Sequence, residues 1–178
     1  KLICLGKNYL EHAHEGNFEA PEKPLLFAKA PSALSGPRDP ILLPRSSSQV
    51  DWEVELALVV GREGKRISRD RAWDYIAGYA VMNDVSGREA QFGDGQWFRG
   101  KSFDTFGPVG PCVVRREELK NPGNLKIECR LNGRTVQSSS TRYMIFSIPE
   151  ILSFVSRNFT LEAGDLICTG TPSGVGPL

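Results

Sequence analysis

One apolar stretch organises the rest of the chain: Val50-Asp51-Trp52-Glu53-Val54-Glu55-Leu56-Ala57-Leu58-Val59-Val60. Its β-branched and apolar residues, followed by a glycine, predict a β-strand. Both faces of this strand become apolar after Glu55, which is typical of a strand buried on both sides. Because alternate side chains of a strand point the same way, Glu53 and Glu55 share one face. We therefore expect these two carboxylates side by side at the edge of a core.

When two carboxylates lie so near each other and are partly removed from water, they need a compensating cation or must take up protons. A divalent metal would meet that need, since oxygen ligands suit hard ions such as Mg²⁺, Ca²⁺ and Mn²⁺. A half-solvated strand with two exposed glutamates explains the same pattern without a metal. Asp84 is a further candidate ligand, because it follows a second apolar strand, although the Asn-Asp pair at that point also suits an ordinary turn.

Length and composition restrict the class of protein. The chain has 178 residues, enough for one domain with a sizeable core. Lysines and arginines number 22 against 21 aspartates and glutamates, which gives a net charge of +1. This balance provides no general electrostatic attraction to nucleic acid or to a membrane surface, so we predict neither as a partner. No apolar run of the sequence approaches the roughly 20 residues that span a bilayer.

The four cysteines are Cys4, Cys112, Cys129 and Cys168. They are far apart and form no Cys-x-x-Cys pair, so the sequence predicts neither a disulfide framework nor a zinc site. Each lies in an apolar run, which indicates buried free thiols in a reducing compartment. We expect a cytoplasmic protein, with the mitochondrial matrix as the alternative.

Elsewhere, short apolar runs between glycine and proline signals predict a β-rich fold with a few short helices. Asn8 is expected to cap the first of these helices. Helices are predicted at residues 8–16, 68–74 and 149–158, with a polar loop at residues 86–100. Further strands are predicted at residues 1–6, 25–29, 77–82, 125–131 and 166–168, with a hairpin turn at Asn132-Gly133.

Three further side chains are candidates for chemistry. His12 and Glu15 lie three residues apart on the first predicted helix, where they could form an acid–base pair or be ordinary residues of an exposed helix. Lys101, between a glycine and a serine, could face a cleft or lie in solvent. Residues 169–176 combine glycines with hydroxyls, which suits close approach to an anionic ligand. They lack the lysine of a P-loop, so we do not predict nucleotide binding.

Six motifs occur in one order along the chain and together resemble the fumarylacetoacetate hydrolase family, in its short acylpyruvase-like branch. The matches extend over essentially the whole chain, which makes the set far more specific than any single motif. The six are Gly6-Lys7-Asn8-Tyr9 with His12 and Glu15, Asp51-Trp52-Glu53-Val54-Glu55-Leu56-Ala57, Asn83-Asp84-Val85-Ser86, Gly100-Lys101-Ser102-Phe103-Asp104-Thr105, Ser140-Thr141-Arg142-Tyr143-Met144-Ile145-Phe146, and Leu161-Glu162-Ala163-Gly164-Asp165 with Thr169-Gly170-Thr171-Pro172.

The resemblance implies an α+β fold that is mostly β, a mixed β-sandwich roll with a few short helices, and a homodimer. Members of the family continue past the glycine loop into a closing strand. We therefore expect residues 1–178 to form a single catalytic domain that lacks its last C-terminal strand. The resemblance also implies that Glu53, Glu55 and Asp84 hold Mg²⁺ or Mn²⁺, which Ca²⁺ can replace in a crystal.

The same resemblance implies roles for five other residues. His12 and Glu15 would form a base dyad on a short lid helix, and Lys101 would lie beside the substrate. Gln91 and Thr171 would contact the substrate. The expected enzyme is a metal-dependent hydrolase that cleaves a carbon–carbon bond of 2,4-dioxo acids, of acylpyruvate or fumarylpyruvate type, through a metal-held enolate. Its expected partner is this small oxo acid.

Other activities fit the same residues. Decarboxylation of oxaloacetate, isomerisation of a 2-oxo acid and cleavage of ureidoglycolate pass through a related anion, and the motifs do not separate these reactions. A metal-stabilised module that binds an anion without catalysis explains the carboxylates equally well. It does not explain His12, Glu15 and Lys101, which favour an enzyme.

Overall fold

The computed structural model describes residues 1–176, in which strands predominate over helices. The strands are β1 (Leu2–Gly6), β2 (Leu25–Ala28), β3 (Leu34–Ser35), β4 (Val50–Asp51), β5 (Val54–Val60), β6 (Ile76–Asn83), β7 (Ser86–Gly87), β8 (Gly107–Arg115), β9 (Lys126–Leu131), β10 (Arg134–Ser140) and β11 (Leu166–Cys168). The α-helices are α1 (Leu10–Glu15), α2 (Arg88–Gly93), α3 (Phe98–Lys101) and α4 (Ile148–Asn158). Short 3₁₀ helices occur at Pro31–Ala33, Arg69–Tyr75, Arg116–Glu118, Pro122–Asn124 and Thr141–Tyr143. This content confirms the predicted α+β class, mostly β.

Seven strands form one mixed sheet in the order β2-β1-β11-β5-β6-β8-β3. Most neighbours in it are antiparallel, but β1 pairs with β11, and β3 with β8, in parallel. Two further ladders, β9–β10 and β4–β7, have two strands each. β5 therefore occupies the middle of the large sheet, in agreement with its continuous apolar sequence.

Apolar side chains cover both faces of β5. On one face, Leu56 and Leu58 belong to a buried cluster that also contains Leu152 of α4. On the other face, Ala57 packs in a second cluster with Met82. Burial on both faces removes the strand from water, so any charge placed at its start must find partners inside the protein.

Helix α4 begins one residue before its predicted start because a capping box closes its first turn. The Glu150 carboxylate accepts hydrogen bonds from the Ser147 amide at 2.9 Å and from the Ser147 hydroxyl at 2.8 Å. Ile151, Leu152 and Val155 recur at helical spacing and are fully buried against the sheet cluster. The helix thus covers the face of the sheet that carries Leu56 and Leu58.

The strand predicted at residues 50–60 is interrupted, which corrects its boundaries. β4 ends at Asp51 and pairs with β7, whereas β5 starts at Val54 and joins the large sheet. Between them, the amide of Glu53 donates to the side chain of Asn83 at 2.9 Å. Glu53 therefore lies where the chain passes from one ladder to the other, just before the strand that carries Glu55.

Several local predictions are wrong because tertiary contacts override local signals. Asn8 does not cap α1; its side chain donates to the carbonyl of Thr169 at 2.7 Å and accepts from the amide of Phe146 at 2.8 Å. Residues 86–100, predicted as a loop, contain α2 and most of α3, and the helix predicted at residues 68–74 is a 3₁₀ helix. Strand β8 was not predicted, because it contains two prolines, and proline is unusual inside a strand.

Two predictions about the chain as a whole have different outcomes. Cys4 and Cys168 are buried free thiols as predicted, whereas Cys129 is only half-buried and Cys112 is exposed. Among residues 1–176, no helix combines the length and apolar character needed to cross a membrane. The single domain lacking its closing strand stays a prediction.

Candidate active site

Three buried carboxylates meet where β5 and β6 lie side by side. We call Glu53, Glu55 and Asp84 the carboxylate cluster; each offers an oxygen within 4.8 Å of the others. Glu55 lies in β5, and Asp84 directly follows β6, where its amide donates to the Glu53 carbonyl at 2.8 Å. The side chains of Glu53 and Asp84 are 9% and 0% exposed. The structure therefore brings together the three residues that the sequence singled out as candidate ligands.

Two buried lysines compensate the charge of the cluster. Lys101, at the end of α3, donates to Glu53 at 2.8 Å and to Asp84 at 2.7 Å. Lys29 follows β2 and donates to the other oxygen of Asp84 at 2.5 Å and to the Val85 carbonyl at 3.1 Å. Both lysine side chains are essentially inaccessible to solvent. The positive charge that the paired glutamates demand is thus present in the protein itself.

Arg88, at the start of α2, adds a third cation. Its guanidinium lies 2.8 Å from the second oxygen of Glu53 and also pairs with Asp51. A further N–H donates to the side-chain carbonyl of Gln91 at 2.7 Å. Because its side chain is only 12% exposed, these pairs are shielded from water and fix the guanidinium at the edge of the cluster.

Burial and neighbouring charges shift the pKa values of the cluster in opposite directions. Burial opposes ionisation of Glu53, but Lys101 and Arg88 outweigh it and lower the pKa of Glu53 to about 2. For Glu55, burial and the charge of Asp84 raise the pKa well above its ordinary value. Burial would lower the pKa of Lys101, yet Asp84 and Glu53 raise it above its ordinary value, so the ammonium stays charged.

The residues of the cluster fit a hard divalent ion. One oxygen of Glu55 accepts from the amide of Gly170 at 2.8 Å, while the other is buried and has no hydrogen-bond partner among residues 1–176. A buried carboxylate oxygen without a partner is costly, and a cation would relieve that cost. The donors are all carboxylate oxygens, the ligand type that Mg²⁺ and Mn²⁺ prefer.

His12 and Glu15 form a contact on α1, as their spacing predicts. Their side chains approach to 3.3 Å between Nδ1 and a carboxylate oxygen, and are 17% and 38% exposed. Glu15 also accepts from the amide of Gly174 at 3.0 Å. Phe18 packs edge-on against the imidazole, with ring centroids 5.5 Å apart. We call His12 and Glu15 the dyad; the loop at Gly174 and the ring of Phe18 hold it in place.

One cavity of about 380 Å³ joins the dyad to the cluster. Five predicted site residues line it: His12, Glu53, Gln91, Lys101 and Thr171. Glu55 and Asp84 are fully buried next to Glu53, and Glu15 contacts His12. A larger cavity of about 480 Å³, bordered by Trp73, Arg116 and Arg142, has none of the predicted site residues on its wall among residues 1–176.

The two residues expected to contact substrate are held by the protein. Gln91 is 3% exposed, and its side-chain oxygen is taken by Arg88. The hydroxyl of Thr171 donates to the Val54 carbonyl at 3.0 Å and accepts from Gln137 at 2.8 Å. The amide nitrogen of Gln91 is the group of this pair that is best placed to donate to a ligand.

Sequence reasoning missed Lys29 and Arg88. Lys29 follows an apolar strand, a place where a lysine is usually solvated, and its partner lies 55 residues away. Arg88 falls in a segment predicted as a loop, so nothing local connects it with Glu53. A requirement for balanced charge around Glu53 and Glu55 was the available signal, but it does not identify which cations supply the balance.

Comparison with known proteins identifies relatives. A family model described as the fumarylacetoacetate (FAA) hydrolase C-terminal domain matches residues 1–178. An uncharacterized protein of Methanocaldococcus jannaschii is 52% identical over 178 residues, which are 100% of this chain and 74% of that protein. The mitochondrial oxaloacetate tautomerase Fahd2a of Rattus norvegicus is 48% identical over 177 residues, which are 99% of this chain and 56% of that protein.

A solved structure has the same fold. The 5-carboxymethyl-2-hydroxymuconate delta-isomerase from Mycobacterium smegmatis superposes with a TM-score of 0.92 at 43% sequence identity, over 100% of this chain and 70% of that one. The chain spans little more than half the length of the rat relative. The match of the family model along the whole chain, together with these relatives, shows that the chain belongs to the fumarylacetoacetate hydrolase family.

Proposed function

We propose that the chain is the catalytic domain of a divalent-metal-dependent enzyme that tautomerises oxaloacetate between its keto and enol forms. The observation that carries this proposal is the shared cavity, which His12 lines together with Glu53 and Lys101. A base at one side and a cationic, oxygen-rich site at the other are the two requirements for moving a proton next to a carbonyl group. The names of relatives, an oxaloacetate tautomerase and an isomerase, support the same class of reaction.

His12 acts as the base in this proposal. Since Nδ1 faces the carboxylate of Glu15, it carries the imidazole proton and leaves Nε2 as the acceptor. Nε2 takes a proton from C3 of oxaloacetate, and Glu15 stabilises the imidazolium that forms. Return of that proton to the C2 oxygen gives the enol, and its return to C3 restores the ketone.

The cluster and its cations stabilise the charge that develops on the C2 oxygen. Glu53, Glu55 and Asp84 would hold the divalent ion, which supplies Lewis-acid polarisation of the oxo group when bound. Lys101 uses two of its three donors on Glu53 and Asp84, which leaves one N–H for the substrate oxygen. Arg88 and the amide of Gln91, which also line the cavity, would bind the carboxylate next to the oxo group.

Hydrolysis of a 2,4-dioxo acid is the second candidate, and one observation favours it. The side chain of His12 is 17% exposed, so bulk water reaches the base. His12 would then take a proton from water as the water oxygen adds to the C4 carbonyl. Breaking the C3–C4 bond gives a carboxylic acid and the enolate of pyruvate, which takes a proton to form pyruvate. This route needs the same residues as tautomerisation.

One experiment separates these functions. The protein loaded with Mg²⁺ or Mn²⁺ is given the enol form of oxaloacetate, and the loss of enol absorbance is followed beside the release of pyruvate. We expect enol loss faster than in buffer, without pyruvate. A parallel reaction contains an acylpyruvate in place of oxaloacetate. If pyruvate is released from the acylpyruvate faster than the enol of oxaloacetate is lost, the protein is a hydrolase. Release of pyruvate from oxaloacetate would identify a decarboxylase. Binding of oxaloacetate without any turnover would identify an anion-binding module.

Two features implied by the family stay predictions. We expect a homodimer, which light scattering at micromolar concentration should report as twice the mass of the chain; a monomer would contradict it. We also expect a reducing compartment, either the cytoplasm or the mitochondrial matrix, which localisation of the whole protein would test.

A further inference from the structure

Lys7 lines the same cavity as His12 and Glu53 but has no role in the chemistry proposed above. Its backbone has a φ of 58°, in the left-handed region that residues other than glycine seldom adopt. Such strain persists only when the surroundings hold the residue, and it is concentrated at functional sites. The surroundings of Lys7 therefore hold its backbone in place at the wall of the cavity.

Both neighbours of Lys7 fix its backbone. Gly6 packs so closely on Trp97 that a Cβ there would lie 2.3 Å from the indole ring. Asn8 is anchored through its side chain to Thr169 and Phe146, as described above. The chain is thus held on each side of Lys7, and the lysine side chain leaves the backbone in one fixed direction.

The ammonium of Lys7 is positioned without being neutralised. Its Nζ lies 4.4 Å from the centroid of the Phe18 ring, a cation–π contact that orients the charge. The other two cations on the cavity wall, Arg88 and Lys101, are each paired with carboxylates. Within residues 1–176, no carboxylate oxygen approaches Lys7 closely enough to form an ion pair. A half-buried positive charge in a cavity is therefore free to bind an anion.

Lys7 lies on the part of the cavity wall that carries His12, whereas Lys101 lies beside the carboxylate cluster. Lys7 and His12 both contact the ring of Phe18, whereas Lys101 donates to Glu53 and Asp84. The cavity wall thus carries paired cations at the cluster and, beside the base, a cation without a carboxylate partner among residues 1–176. An anion that carries a second negative charge besides its 2-oxo acid group matches this distribution.

We propose that Lys7 binds the carboxylate of the substrate that is remote from the oxo group, and so selects 2-oxo dicarboxylates over 2-oxo monocarboxylates of similar size. This inference rests on the proposed function, because it takes the cluster end of the cavity as the site of the 2-oxo acid group. The cation–π contact with Phe18 keeps the ammonium of Lys7 in place without neutralising its charge. A monocarboxylate would leave this ammonium unpaired when it displaces water from the cavity.

The test compares oxaloacetate with its 4-methyl ester, which has the same skeleton without the remote charge. Lys7→Met keeps a long unbranched side chain and a Cβ, so it removes the charge without changing the backbone strain. We expect the ratio of kcat/KM for the acid to kcat/KM for the ester to fall about tenfold. Lys7 is half-buried, so its ion pair with the substrate should contribute an energy between those of an exposed pair and a buried pair. Lys7→Arg should restore most of the ratio, and Lys23→Met, an exposed lysine outside the cavity wall, is the matched control.

A binding measurement keeps this test independent of turnover. Calorimetric titration of the metal-loaded His12→Ala protein with both ligands, with and without Lys7→Met, measures the same ratio from dissociation constants. If wild type fails to tautomerise oxaloacetate but Lys7→Met still lowers the binding ratio about tenfold, the proposed function is wrong and the inference about Lys7 stands. If Lys7→Met leaves the acid-to-ester ratio unchanged, for instance because both ligands lose affinity equally, the inference is overturned.

Discussion

The carboxylate cluster and the dyad face one cavity but are held in opposite ways. The cluster is buried, and Lys29 and Lys101 bind its oxygens at distances between 2.5 and 2.8 Å. The dyad is partly exposed, and its internal contact is a single approach of 3.3 Å. The ion pairs that fix the geometry of the cluster therefore also contribute to the stability of the core. The geometry of the dyad depends instead on the loop at Gly174. Substitutions in the cluster should affect both folding and chemistry. Substitutions in the dyad should affect chemistry alone.

Removal of the metal should have the largest effect on activity. Excess chelator should abolish turnover, and Mg²⁺ or Mn²⁺ should restore it, because the ion supplies polarisation that no side chain replaces. The metal-free protein should stay folded, since Lys29, Lys101 and Arg88 already balance the carboxylates. Turnover and circular dichroism measured on the same samples test both parts. Full activity in excess EDTA would show that the cluster holds no functional metal.

His12→Ala should be next in size and should act on chemistry alone. Turnover should fall by about 10²–10⁴-fold, the usual contribution of a positioned acid–base group. Metal affinity and thermal stability should change little, because His12 is not a candidate ligand and is partly exposed. His14→Ala, on the same helix but exposed, is the control. Equal turnover in wild type and the His12 variant would mean that His12 is only part of the cavity wall.

Lys29→Met should have the opposite profile, with a large effect on folding. Removing one partner of a buried ion pair leaves the charge of Asp84 less compensated, which typically costs about 3–5 kcal/mol in the free energy of unfolding. Urea denaturation of the metal-free protein measures this loss. Lys23→Met, at an exposed position, should change stability by less than about 0.5 kcal/mol. A loss for Lys29→Met as small as that of the control would contradict the view that the cluster belongs to the core.

Glu15→Gln should have the smallest effect, and it tests what the charge of the dyad contributes. The amide oxygen of glutamine can still accept from Gly174 and from the imidazole, so the orientation of His12 should survive. Loss of the negative charge should lower turnover by about tenfold, because a charge-assisted hydrogen bond becomes a neutral one. Steady-state kinetics on the metal-loaded protein would detect this. A loss as large as that of His12→Ala would show that Glu15 does more than stabilise the imidazolium.

Local spacing predicted those parts of the site whose residues are close together in the sequence. Alternation along the predicted strand placed Glu53 beside Glu55, although Glu53 lies just before β5 in the structure, and helical spacing placed His12 beside Glu15. The pairing of Lys29 with Asp84 depends on how distant strands come together, which no local pattern records. Most helix and strand positions were predictable from apolar runs, but Asn8 was not, because its bonds to Thr169 and Phe146 replace the cap that its sequence context favours. The roles of the site residues stay predictions until they are measured.

The position of β11 between β1 and β5 sets an order of assembly. β5, β6 and β8 follow one another closely in the chain and can pair early, whereas β1 reaches them only through β11, where Leu2 pairs with Leu166. Closing so long a loop is slow, and until it closes the edge of β5 has no neighbour on that side. On the ribosome, Glu55 would be present long before the amide of Gly170 that binds it. We therefore expect pulsed hydrogen exchange during refolding to protect the β5–β6 ladder before β1, with the cavity and its catalytic geometry completed only in the last step.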